Sequence, residues 1–234
     1  NKAPLWMKRL YLAAFFGAEL TSPRTVTGHQ YNFSGPVLSL NKREGVVESG
    51  RRVLQQVQGW LREFEIDSAL LAEREEYTNK DGSLSVRLRL QISSEPENLI
   101  RLWSRIGYDY NQRKQYLASV AVQYLKMKTA VLQERAASIE TARSMRKATG
   151  ATLKTITAAI GSRHVNERFV ARSLWKGRQT DVRIGTSFPG FAEFVKDKTE
   201  GLGKTGQVWD AIVCKGAIDH FGPVYDLTVL EEHH

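Results

Sequence analysis

Residues 10–20 read LYLAAFFGAEL, and Leu10 to Ala18 form an uninterrupted stretch without charge. Lys8 and Arg9 mark where the run leaves solvent. Leu, Ala and Phe support a helix better than a strand of this length, and a helix apolar around its whole circumference is expected to be buried on every side. At roughly 11 residues it is far too short to span a bilayer. Small residues at Ala13, Ala14, Gly17 and Ala18 would let another backbone approach closely. Glu19 then emerges at the helix C-terminus, where the dipole disfavours an anion. A carboxylate there calls for a compensating cation, with a divalent metal ion as the natural candidate; a core helix with an exposed terminal Glu is the alternative.

The 234 residues suffice for one large or two small domains. Hydrophobic content is 41% and charged content 25%, ordinary for a globular protein. The balance of charge is not ordinary: 34 Lys and Arg against 25 Asp and Glu give +9. That excess suggests a polyanionic partner. One cysteine, Cys214, excludes an internal disulfide framework and a cysteine-based metal cluster, and suits a reducing, cytoplasmic compartment. No apolar run has membrane length, so no membrane partner is expected. The chain opens on Asn1 rather than methionine, which suggests a piece of something longer.

Beyond the first helix, Thr21-Ser22-Pro23 is a break. Thr25–Asn41 reads as extended or turn structure, with strand-like alternation at Val37–Asn41 leading to Lys42 and Arg43. Gly45–Phe64 has helical spacing, placing Val46, Val47, Val53, Leu54, Val57, Trp60, Leu61 and Phe64 on one face. A hairpin follows, Leu70–Thr78 and Leu84–Ile92, reversed at Asn79-Lys80-Asp81-Gly82. Its second strand alternates strictly: Leu84, Val86, Leu88, Leu90 and Ile92 on one side, Ser85, Arg87, Arg89 and Gln91 on the other. Arg and Gln at two-residue steps suit guanine and adenine edges in a major groove; a merely solvated sheet face is the alternative. Ser94 is expected to cap a helix over Glu95–Ile106, with Pro96 at its first position and Gly107 ending it. A long helix then runs from about Gln112 to about Lys147. Near Gly150 two short helices around Gly161 are compatible with a helix-turn-helix, made basic by Lys154, Arg163, His164, Arg168, Arg172, Lys176 and Arg178. Phe188–Val195 reads as a short packing helix, and Gln207–Cys214 and Pro223–Leu230 as strands.

Leu12–Leu20 (LAAFFGAEL) resembles the nonapeptide of the LAGLIDADG homing endonucleases, with Glu19 at the metal-binding acid. The order helix, hairpin, helix, hairpin, helix, basic helix resembles one αββαββα half-domain of that family. Within Gln123–Lys128, Lys128 stands at the position of a lysine beside the metals, and Asn41 at a polar side chain that positions water. Val224–Val229 (VYDLTV) followed by His233 resembles the C-terminal splicing block of inteins, with Asp226 at the residue that assists cleavage there. The terminal Asn and the N-terminal nucleophile of that block are missing. No second nonapeptide is present, so the family's second acid would come from a homodimer partner or a missing N-terminal segment.

The resemblance implies an α+β protein. A LAGLIDADG endonuclease half-domain would occupy 4–148, a helical DNA-binding module 149–200, and a Hint-type β-hairpin, the remnant of a splicing domain, 206–234. It implies a site-specific, Mg2+-dependent endonuclease for double-stranded DNA, with Glu19 as metal ligand and catalytic residue beside Lys128 and Asn41. Lys42, Arg43, Arg74, Arg87, Arg89, Gln91, Arg163, Arg168 and Arg172 would contact DNA. The alternatives are a DNA-binding protein that has lost cutting and a split-intein fragment that supports splicing.

Overall fold

The first helix begins earlier than the apolar run and is open on one side. In the computed structural model, which describes residues 2–175, 182–185, 187–212 and 214–223, helix α1 spans Leu5–Glu19. Leu12, Ala13 and Phe16 are fully buried, whereas Leu5, Met7, Leu10 and Tyr11 are about half exposed and Trp6 is 63% exposed. Burial on every side is therefore not realised, because the layers of this chain cover one face of α1 only. Lys8, expected to mark the surface, is buried, and its ammonium donates to both carboxylate oxygens of Glu63 at 2.8 and 2.7 Å. Gly17 explains how α1 seats so deeply. A Cβ there would lie 2.1 Å from the Asp109 carbonyl oxygen, so only glycine lets the 107–111 loop cross the helix.

The sheet is antiparallel and built on its last strand. β1 (Val37–Arg43), β2 (Ser68–Leu70) and β3 (Arg74–Thr78) all pair with β4 (Leu84–Ile92). β1 lies on one edge of β4, with Ser39 opposite Arg89 and Asn41 opposite Arg87. β2 and β3 share the other edge. The single strand expected over Leu70–Thr78 is thus two short ones, and a register shift between Glu75 and Tyr77 bends the second. The Asp81-Gly82 reversal is present: Asn79 N–H donates to Ser83 O and Gly82 takes φ +80°. Between α1 and β1 the expected extended segment supplies only the isolated bridges Leu20 to Leu38 and Thr25 to Phe33.

Helix α2 (Val47–Glu63), entered through a short 3-10 turn, packs Leu54, Val57 and Leu61 under the sheet. Val46 and Val53, expected on that face, are exposed. Helix α3 (Pro96–Arg101) has Pro96 in its first turn and loosens into a π-type turn over Leu102–Ile106, ended by Gly107 at φ +73°. Ser94 does not cap it; the Ser93 hydroxyl accepts from Glu95 N–H at 3.3 Å instead. Helix α4 (Gln112–Thr149) is capped by Asn111, whose side-chain oxygen accepts from Lys114 N–H at 3.1 Å. At 38 residues it is about 57 Å long.

Two cores hang on α4. The larger contains α1, α2, the helix-facing side of the sheet, and α4 through Val131. Its far end is an aromatic cluster in which Tyr124 meets Phe33, Phe188, Phe191 and Phe194 at 5.2–6.0 Å between ring centres. The last two of these lie on α7 (Phe191–Lys198). The smaller core joins Ile139 and Ala142 of α4 to Ile156 of α5 (Leu153–Ile160), Val165 of the turn that follows it, and Phe169 and Val170 of α6 (Glu167–Trp175). Gln207–Ile212 forms no strand. The second strand expected there, together with Asp226 and His233, falls outside the described residues except for Pro223. Among the described residues no helix is long and apolar enough to cross a membrane.

Candidate nucleic-acid interface

Strand alternation decides which side chains reach the open face of the sheet. Leu88, Leu90 and Ile92 are buried against the helices, so Arg87, Arg89 and Gln91 point the other way. The pairing register adds Ser39, Asn41 and Arg43 from β1 and Arg74, which lies opposite Arg87, from β3. Lys42 does not belong to this set. It alternates to the helix side, where its stem lies against Gly50.

The cations on the face differ in how they are held. Arg43 donates to Asp81 at 2.8 Å, and Arg87 is paired with Glu76. Arg89 reaches the Ala72 carbonyl only at 3.5 Å. The Nε–H groups of Arg87 and Arg89 are covered and unpartnered among the described residues, a condition that costs about 1–3 kcal/mol per group. Arg74 and Gln91 are exposed.

At the end of α1 the arrangement departs from the expected catalytic set. Glu19 is exposed, and the lysine that acts on it electrostatically is Lys114. Lys114 Nζ donates to the carbonyls of Leu20 (2.7 Å), Gly17 (3.0 Å) and Ala18 (3.2 Å), with Phe16 O at 3.4 Å. Asn111 also donates to Gly17 O at 2.9 Å, and the ammonium stands 5.8 Å from the centre of the Tyr108 ring. Burial lowers the Lys114 pKa, and Glu19 opposes that shift. Lys128 is elsewhere and otherwise engaged. It is buried in the larger core, donating to Tyr31 O and Asn32 Oδ1 at 2.8 Å each, and burial lowers its pKa too. It ties the loop before β1 to α4. Asn41 is on the open sheet face, exposed, opposite Arg87.

Mg2+ takes near-octahedral oxygen ligands. At Glu19 one carboxylate faces an ammonium that already engages the neighbouring carbonyls, and among the described residues no three His, Cys, Asp or Glu converge. Sequence reading missed Lys114 because its partners lie 94–98 residues earlier in the chain, and nothing in the local spacing signals them.

In the smaller core, α5 and α6 flank Gly161, which adopts φ +64°, and Thr152 caps α5 by accepting from Thr155 N–H at 3.2 Å. Arg163, Arg168 and Arg172 are exposed. Arg163 Nε donates to His164 at 3.1 Å. Arg135, from α4, is covered beneath them, its guanidinium 4.1 Å from the Phe169 ring centre.

No known protein-family profile matches the chain. Over all of its length it is 30% identical to segments of tRNA-splicing ligases RtcB from Methanopyrus kandleri and Pyrococcus furiosus, covering 22% of each. Over 57% of its length it is 31% identical to 9% of the DNA-directed RNA polymerase subunit Rpo1N of Methanocaldococcus jannaschii. The chain thus spans about a fifth of the length of the ligases it matches. These relatives overturn the expected membership of the LAGLIDADG homing endonucleases. Proteins similar along the whole chain are named as RNA ligases, not DNA endonucleases or hydrolases, and they lend no support to an intein or splicing fragment.

Proposed function

We propose that this chain is a nucleic-acid-binding segment of a longer, RtcB-like cytoplasmic polypeptide, and that it holds a double-stranded nucleic acid against the open face of its sheet. The observation that carries this reading is the row Arg87, Arg89 and Gln91 on the central strand, facing away from the core with Arg74 opposite Arg87 and with Arg74 and Gln91 exposed. The net charge of +9 supports it. So does the pattern of relatives. A ligase is similar over the whole chain and a polymerase subunit over 57% of it, so the similarity is not tied to the ligation reaction. By name, both kinds of relative work on nucleic acid.

A twisted antiparallel ribbon fits the wide major groove of B-form DNA. The deep, narrow major groove of A-form RNA does not admit side chains in this way. Duplex DNA is therefore the expected ligand, with the α5–α6 arginines adding phosphate contacts. A second reading, favoured by the ligase names of the full-length relatives, is that transfer RNA lies on the same face. The exposed apolar side of α1 is covered by the remaining polypeptide or by a second copy. Binding by fluorescence anisotropy decides among these readings, using duplex DNA, duplex RNA and transfer RNA with wild type and Arg89→Ala. Duplex DNA bound tightest, and weakened roughly tenfold by Arg89→Ala, is the expected result. Preference for transfer RNA selects the second reading, and affinity for none of the three refutes both.

A further inference from the structure

We propose that the Lys114 ammonium is the resident cation of the carbonyl cluster that ends α1, and that it occupies the ground a metal ion would need beside Glu19. Four backbone oxygens, those of Phe16, Gly17, Ala18 and Leu20, lie 2.7–3.4 Å from one Nζ atom. Helix C-termini carry unsatisfied carbonyls and partial negative charge, and Glu19 adds a full negative charge at the same end. A lysine from the start of α4 answers both. The Asn111 cap and the Asn111 bond to Gly17 O fix the backbone from which Lys114 departs. The Tyr108 ring closes one side, and its hydroxyl donates to Thr21 O at 2.9 Å just beyond the cluster. The group is thus a formed cation site whose cation is covalently part of the protein. This inference does not depend on which nucleic acid, if any, the chain binds.

The position predicts how the protein meets a hard metal ion. With Lys114 in place, Glu19 offers a lone carboxylate next to a positive charge. With the ammonium removed, the carbonyls and Glu19 form an all-oxygen set of the kind Ca2+ and Tb3+ accept, close enough to Tyr108 for the ring to sensitise Tb3+ emission. The test is a Tb3+ luminescence titration of the full chain as wild type, Lys114→Ala, and Lys114→Ala with Glu19→Gln. Wild type is expected to show no saturable emission that depends on Glu19. Lys114→Ala should gain saturable one-to-one emission at least about tenfold tighter, lost again in the double variant. Saturable, Glu19-dependent emission from wild type overturns the proposal, as does a folded Lys114→Ala that gains nothing. If Lys114→Ala does not fold, Lys114→Gln replaces it, keeping a donor without the charge, and the comparison of wild type with Glu19→Gln remains decisive.

Discussion

At the residue scale, close approach governs α1. The 2.1 Å separation between a Cβ at position 17 and the Asp109 oxygen cannot be relieved by a rotamer change, because the obstacle is backbone. Gly17→Ala should therefore destabilise the chain by about 2–3 kcal/mol in denaturant unfolding, even though alanine is the better helix former by about 1 kcal/mol. A neutral result would mean that the loop at 107–111 yields freely. His164 supplies a pH prediction. Burial lowers its pKa from the ordinary 6.5, with Arg163 and Arg135 acting in the same direction and Glu134 against. The unfolded chain then takes up the proton first. Stability from the neutral imidazole is complete above the ordinary value and is lost as pH falls through the folded one. Wild type should lose more stability than His164→Asn between pH 7 and pH 5, measured by urea unfolding at each pH. Equal losses would remove the imidazole from the account.

At the scale of elements, much was legible. Strict alternation over 84–92 identified β4 and its two faces, and the helical periods located α2, α4 and the pair around Gly161. What failed has physical causes. The split of the expected strand into β2 and β3, and the register shift between Glu75 and Tyr77 within β3, are pairing features that alternation in one strand cannot reveal. Glu19 was legible as an exposed acid at a helix end, but the cation expected beside it was a divalent metal ion, whereas long-range folding brings the Lys114 ammonium there. The family assignment rested on short motifs and is overturned by similarity along the whole chain. The α5–α6 pair is held by few large side chains, so Phe169→Ala should cost about 3–5 kcal/mol within that module. Circular dichroism should show loss of roughly the helicity of α5 and α6 while the sheet persists. A fully cooperative loss of all structure would show that the two cores are not separable.

For the whole molecule, charge sets the association behaviour. If Arg74, Arg89, Arg163, Arg168 and Arg172 each neutralise one phosphate, the logarithm of the duplex affinity should fall with log salt at a slope of about −4 to −5. Arg168→Ala should reduce that slope by about 1 without altering sequence preference. A flat salt dependence would reject a polyanionic ligand altogether. The face of α1 bearing Trp6, Leu10 and Tyr11 acts in the opposite sense, being apolar and open.

Helix α4 serves as a shared beam, and that has a kinetic corollary. Its N-terminal half is clamped by the larger core, and among the described residues its C-terminal half packs mainly on the smaller core built from α5, α6 and the turn between them. A lone helical arm of that length is marginal in water. Backbone amides along one unbroken helix should therefore fall into two tiers of deuterium uptake, slow up to about Val131 and fast beyond Ser138, with the step marking where one foldon hands over to the next.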